Sequence, residues 1–291
     1  MSSFKDLKNN RMNNLQSLTK QVEKLAEKPS YEDERIWKCE RDKTGNGYAV
    51  VRFLPAPTNE DVPWVRLWSH GFKGPGGWYI ENSLTTPRSD APSGTDDPVS
   101  KANTTLWNSG IESDKNIARD RKRKLSYYSN ILILEDSTNA QNEGKVFLFR
   151  YGKKIFEKIE SVMNPEFKDE EPMNPFDFWS GANFKLKIRQ VEGYANYDKS
   201  EFASPTPLFD GDDAKLEDVW KQQHSLQGIL APENFKSYQE LEARFNTVVA
   251  NSGSDYSETI EESASDPIAS VDAAESTSED TLEYFKKLAE Q

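Results

Sequence analysis

Between residues 47 and 194, hydrophobic positions fall mainly in short runs rich in β-branched and aromatic residues and bounded by turn residues. GYAVVRFLP (47–55), WVRLWSHGF (64–72), WYIEN (78–82), SYYSNILILED (126–136), KVFLFRYG (145–152) and ANFKLKIRQVEGY (182–194) each predict a strand. Five or six such strands suggest a small barrel. Three other stretches carry helical steps instead: Ile155, Ile159 and Val162; Leu216, Val219 and Trp220; and Leu241, Phe245 and Val248. In the last of these, Ser237 and Glu240 have the spacing of a capping box. GFKGPGGWY is rich in glycine but lies between two strands with no helix behind it, which predicts a hairpin turn rather than a phosphate loop. Residues 83–118 show no regular period and are expected to form a long loop, functional or mobile.

The two ends read differently. Near the N-terminus, Phe4, Leu7, Leu15, Leu18, Val22 and Leu25 recur at three- and four-residue steps, with Lys5, Lys8 and Arg11 on the early turns. Such a helix either packs on its own core or serves as an arm reaching a neighbouring molecule. From 252 to 291 there are 11 acidic and 2 basic residues, so this tail holds −9 of the chain's net −12. Its Ser, Ala and acidic composition predicts disorder. At its close Leu282, Phe285 and Leu288 have helical spacing, which suits either a fraying remnant or a peptide docked by partner proteins.

Composition narrows the class. Aromatic residues at 11% and charged residues at 30% of 291 residues describe a folded core with a very polar surface or disordered ends. The sequence lacks a run of 18 apolar residues and a signal-peptide core, which predicts a soluble protein inside the cell, without a membrane partner. One cysteine, Cys39, excludes both an internal disulfide and a zinc site built on cysteines.

Alternation and charge bring in the chemistry. In NFKLKIRQV, Phe184, Leu186 and Ile188 face one side of a strand, and Lys185, Lys187 and Arg189 form a basic stripe on the other. RDRKRKLSYY adds Arg119, Arg121, Lys122, Arg123 and Lys124. Taken alone, that run reads as a solvated loop. Beside it and beside Lys153 and Lys154 stand aromatic residues, and single-stranded nucleic acid requires cations for phosphates and aromatic faces for unpaired bases. The stacking candidates are Trp107, Tyr127, Tyr128, Phe149, Tyr151, Tyr194 and Tyr197, each of which can instead pack in the core; Tyr127 and Tyr128 are expected to divide between core and groove. Carboxylates in FDGDD (209–213) and KDEE (168–171) suggest magnesium and a nuclease, but they sit in loop or cap contexts and the chain has only two histidines, His70 and His224. The pattern therefore argues against an enzyme and leaves an RNA-binding translational regulator or an interaction scaffold as alternatives.

GNGYAVVRFLP, HGFKGPGGWYIE, KRKLSYYSNILILED, NEGKVFLFRYGKKI, GANFKLKIRQVEGYANYD and FKSYQELEARFNTV, in that order, resemble the single-stranded DNA-binding (helix-destabilising) proteins of T-even-type phages. The resemblance implies an α+β chain whose core, residues 21–251, is an OB-fold: a five- to six-stranded Greek-key barrel with appended helices and disordered termini. It further implies a basic, tyrosine-lined cleft for single-stranded DNA and an arm, residues 1–20, for cooperative self-association. An acidic tail, residues 252–291, would contact replication and recombination proteins. Coating and protecting DNA in phage replication, recombination and repair, in the cytoplasm of the infected host cell, is the implied role. Two departures stand out. The family holds zinc through one histidine and three cysteines, and here His70 is accompanied by Ser83, Asp97 and Ser100, so no cofactor is expected. Its N-terminal basic run followed by Ser and Thr is only loosely echoed by Lys5, Lys8, Arg11, Ser17 and Thr19.

Overall fold

A computed structural model describes residues 33–250. The chain divides into two compact units, residues 1–36 and 37–291. Of the first, only residues 33–36 are described, and there Arg35 forms an ion pair with Asp33 at 2.6 Å. The expected N-terminal helix with Lys5, Lys8 and Arg11, and the acidic tail, lie outside the described residues.

The six expected strands form. After the two-residue β1 (Ile36–Trp37) come β2 (Gly47–Phe53), β3 (Val65–Gly74), β4 (Gly77–Asn82), β5 (Lys124–Asp136) and β6 (Val146–Tyr151). The last expected run divides into β7 (Asn183–Val191) and β8 (Tyr194–Asn196), followed by the two-residue β9 (Glu201–Phe202). Glu192 (φ 52°) and Gly193 (φ 87°) make the division: positive φ at both central residues is what a tight two-residue hairpin requires.

Pairings from β2 onward are antiparallel, with the order β6-β5-β2-β7-β8. β3 joins β5 and carries β4 on its other edge. β5 changes partner along its length. Residues 124–128 pair with β3 and 131–136 with β2, while 127–132 pair with β6 on the opposite edge. The class is α+β, with an open multi-stranded sheet.

Among the described residues five α-helices accompany the sheet: α1 (Pro98–Asn108), α2 (Glu112–Asp120), α3 (Lys153–Met163), α4 (Asp213–Lys221) and α5 (Tyr238–Val249). The capping box opens α5: Ser237 Oγ accepts from the Glu240 N–H, and Glu240 Oε2 accepts from the Ser237 N–H at 2.9 Å. α1 and α2 correct the expectation of a loop over 83–118. They show little apolar period because they bury little: Pro98 and Val99 from α1, and Ala118 from α2.

Apolar clusters form on the sheet and its helices. One face of β2, β5, β6 and β7 packs Val51, Phe53, Ile131, Phe149, Phe184 and Leu186 against Ile155 and Ile159 of α3. Leu132 and Val146 meet Leu216 and Val219 of α4 in a second cluster. The β3–β4 hairpin places Phe72 and Tyr79 against Leu241, Phe245 and Val248 of α5. The glycine-rich stretch is the turn of this hairpin, with Gly74 opposite Gly77. A β-carbon on Gly76 would collide with the Thr247 carbonyl, and the Gly76 N–H donates to the Val248 carbonyl at 2.9 Å.

Candidate nucleic-acid interface

Four of the expected stacking residues prove to be core. Residues 126–133 of β5 are all buried, because the first cluster covers one face of the strand and the second covers the other around Leu132. Tyr127 stacks on Phe156 (centroids 3.9 Å apart, planes 7° apart) and on Tyr151 (5.7 Å, 16°). The Tyr151 hydroxyl lies 2.8 Å from Ser129 Oγ, and Phe149 packs on Trp37 at 5.6 Å. Burial pushes the phenols of Tyr127 and Tyr151 above their ordinary range. Tyr128 points to the other face of β5, as alternation requires, yet it too is buried. None of these four rings presents an accessible face to a base, which corrects their assignment to a groove. Tyr197 is half-buried against the first cluster, and burial raises its phenol. Tyr194, on β8, is 44% exposed.

The basic run divides as well. Arg119 lies over the exposed Trp107 ring, 5.4 Å from its centroid, and pairs with Glu112 at 2.7 Å. Arg121 turns inward, placing its guanidinium 5.4 Å from the Phe72 ring and 5.5 Å from the Phe245 ring, and burial lowers its pKa. Lys122 and Arg123 are exposed, and Lys124 is part-buried opposite Ser69. On β7 the alternation holds: Phe184, Leu186 and Ile188 are buried, while Lys185, Lys187 and Arg189 face the other way. Lys187 pairs with Glu201 at 2.8 Å, and Arg189 Nε donates to Asn196 Oδ1 at 3.3 Å.

What the fold brings together is a cleft of about 540 Å³ whose walls include Arg66, Trp68, Thr85, Gly94, Asp96 and Arg123. Arg123 lies flat enough on Trp68 for its guanidinium carbon to sit 4.3 Å from the ring centroid, and its Nη1 donates to Thr85 Oγ1 at 2.6 Å. A cation over an indole face is attracted by the ring quadrupole. Asp96 brings a carboxylate to the rim, offset by Lys101 at 2.7 Å. Of the residues singled out from the sequence, Arg123 alone lines this cleft; the β7 stripe and Trp107 do not. Arg66 and Trp68 are additions. Their signal was present in WVRLWSHGF, where Arg66 and Trp68 alternate with the buried Val65 and Leu67.

Next to the cleft lies a buried polar network. His70 and Asp97 are each 1% exposed at the side chain and approach at 3.2 Å, from Nε2 to Oδ1. His70 Nδ1 lies 2.9 Å from the Arg121 carbonyl. Asp97 caps α1 by accepting from the Ser100 N–H at 2.9 Å. Its other oxygen accepts from Ser83 Oγ at 3.0 Å and from the Leu84 N–H at 3.2 Å. Burial pushes the Asp97 carboxyl up, but the contact with His70, the bonds from Ser100 and Ser83 and the His70 charge outweigh it and bring it down to about 2.

A family model described as gp32 DNA binding protein like matches residues 45–249 of this chain. The chain belongs to that family. The matched span contains the whole cleft and the His70 network. Among its relatives, the protein named single-stranded DNA-binding protein of Enterobacteria phage T2 is 37% identical over 237 residues, covering 80% of this chain and 76% of the relative. The protein of the same name from Enterobacteria phage T4 is 37% identical over 222 residues, covering 76% and 72%. A shorter match, 47% identical over 72 residues, is to the like-named protein of Escherichia phage SV14, covering 24% of this chain and 64% of that relative. The zinc that the resemblance implied does not fit the residues found here. A structural zinc site is built from four ligands drawn from thiolate, imidazole and carboxylate. The family member described here offers one imidazole, one carboxylate already accepting bonds on both oxygens, and two serines. The described residues hold no group of three or more His, Cys, Asp or Glu placed to share a metal, and no helix long and apolar enough to cross a membrane.

Proposed function

We propose that this protein binds single-stranded DNA without base readout, using the cleft of Arg66, Trp68 and Arg123. The observation that carries the reading is the Arg123 guanidinium resting on Trp68 beside Arg66, which joins two cations and a part-buried indole at one concave surface. Phosphates are captured by the arginines, and a base stacks on the indole, a combination that tolerates any sequence because every base has a π face. The names of the T2, T4 and SV14 relatives support the same reading. Lys122, beside Arg123 in sequence and exposed, extends the positive rim.

Around this centre we read a non-enzymatic coating protein acting in phage replication, recombination and repair in the cytoplasm of the infected host cell. Its sheet is read as an OB-type barrel. Residues 1–20, with Lys5, Lys8 and Arg11, serve cooperative self-association along the strand, and the acidic residues 252–291 serve replication and recombination partners. The test is a titration of the full chain with poly(dT), a matched RNA and duplex DNA at several salt concentrations. Neutralising roughly 3 to 5 phosphates gives a log–log salt slope of about −2 to −3.5 for single strands. Equal affinity for duplex, or a slope near zero, would sink the reading; a preference for RNA would move it to the regulator class.

A further inference from the structure

We propose that His70, Ser83 and Asp97 form a metal-independent clasp that positions the walls of the cleft, in the place where the resemblance implied a zinc ion. Three donors bond Asp97: the Ser100 N–H on one oxygen, and Ser83 Oγ and the Leu84 N–H on the other, while His70 Nε2 lies 3.2 Å from the first oxygen without a hydrogen bond. A carboxylate has about four lone-pair sites, and these bonds fill three of them, with His70 Nε2 facing the oxygen that holds the fourth. A metal ion entering here would displace two backbone N–H groups, one of them the N-cap bond of α1, and leave them buried without partners. Ser83 Oγ also lies 3.0 Å from Thr85 Oγ1, within the same network. Cys39, the single thiol, packs elsewhere, against the first apolar cluster.

The clasp gathers three chain segments. His70 lies on β3, two residues beyond Trp68; Ser83 is two residues before Thr85; and Asp97 follows Asp96. Through Nδ1, His70 also reaches the carbonyl of Arg121, two residues before Arg123. Trp68, Thr85, Asp96 and Arg123 of the cleft wall therefore each lie within two residues of a clasp contact, and Arg123 and Thr85 are held where they meet each other at 2.6 Å. These residues are positioning residues; they do not touch DNA themselves.

The affinity part of this inference rests on the single-stranded DNA reading; the metal part does not. Full-length protein purified without added metal is expected to hold zinc far below one equivalent by elemental analysis. A strong chelator is expected to leave both its Tm and its poly(dT) affinity unchanged. Asp97→Asn keeps the shape but removes the charge, and it is expected to lower Tm and to weaken poly(dT) binding at least threefold at a temperature where the variant is folded, with no recovery on adding zinc. Ser237→Ala, which removes the α5 cap away from the clasp, serves as the control: it should lower Tm with affinity unchanged. If Asp97→Asn does not fold, Ser83→Ala, which removes one donor, takes its place with the same expectations. Stoichiometric zinc whose removal lowers Tm would overturn the metal-independent clasp, and unchanged affinity in a folded Asp97→Asn or Ser83→Ala would overturn its positioning role. Failure of the wild-type chain to bind poly(dT) would defeat the function reading alone, because elemental analysis and chelation still decide the metal question.

Discussion

Removing the two partners of the cation–π pair one at a time separates stacking from charge at the cleft. Trp68→Ala takes away the platform. Base stacking on an aromatic side chain contributes about 1 to 3 kcal/mol, and about 1.4 kcal/mol corresponds to tenfold in affinity, so binding to single strands should weaken about 5- to 150-fold. The loss should persist at high salt, because stacking is not screened. Arg123→Ala removes a cation instead. One phosphate fewer makes the log–log salt slope shallower by about 0.7 for a single strand. Arg123 also covers the Trp68 face at 4.3 Å in the free protein, and a base that takes this face must displace it. An exposed cation–π contact contributes about 0.5 to 1 kcal/mol, so freeing the ring offsets part of the lost attraction. The deficit of Arg123→Ala should therefore be large at low salt and shrink, or reverse, at high salt.

The assay is fluorescence anisotropy of a labelled oligo(dT) across a salt series, because the chain's seven tryptophans make intrinsic emission ambiguous. Urea unfolding of each variant runs alongside. Arg123 is exposed, so its removal should change stability by no more than about 1 kcal/mol. Folded Trp68→Ala protein that binds like wild type at every salt concentration would refute the placement of DNA in this cleft, and parallel salt slopes for Arg123→Ala and wild type would refute its phosphate contact.

Three further outcomes are expected. Tyr127→Ala and Tyr151→Ala should destabilise by about 3 to 5 kcal/mol, as large-to-small changes in a packed core do, while the folded fraction keeps near wild-type affinity in anisotropy titrations. Asp97 has a folded pKa of about 2, depressed from 3.8, so its contribution is present above the unfolded value and fades as pH falls from about 5 towards 2. That depression corresponds to roughly 2 kcal/mol; urea unfolding at stepped pH should show this acid loss, and Asp97→Asn should flatten it. Ser237→Ala should lower stability by about 1 kcal/mol through loss of the cap, visible as a fall in the urea midpoint with unchanged slope.

The strands, the hairpin at Pro75–Gly76, the capping box and the two-sided character of β7 were all legible from period and turn chemistry. The helices within 83–118 were not, since a helical period shows only through an apolar stripe and α1 and α2 have almost none. Their legible signals were local: Asp97 before Pro98 as cap and first-turn residue, and Glu112 and Asp114 in the first turn of α2. The tyrosines failed for a different reason. Alternation assigns residues to two faces but does not say that one of them is wet, and around Tyr127 to Ile133 both faces of β5 are covered.

The same geometry explains why the cleft lies where it does. Directly opposed residues of antiparallel strands share a face, so Arg66, opposite Tyr127, and Trp68, opposite Leu125, point to the side of the sheet that holds the first apolar cluster. On β5 that side is buried from Tyr127 onward. On β3 it is not, because β3 pairs with β5 only up to Tyr128, before β2 takes over that edge at Ile131. β3 thus carries the core-side face of the sheet past the point where β2 supplies core, and the space that apolar residues would fill is bordered instead by Thr85, Gly94 and Arg123. A polar or charged residue at an inward-pointing position costs little there, since water reaches it. Arg66 keeps the alternation of a buried strand while standing in solvent, with Trp68 part-buried under Arg123, and this is how an acidic chain presents cations and an indole together on one surface without burying them in the core.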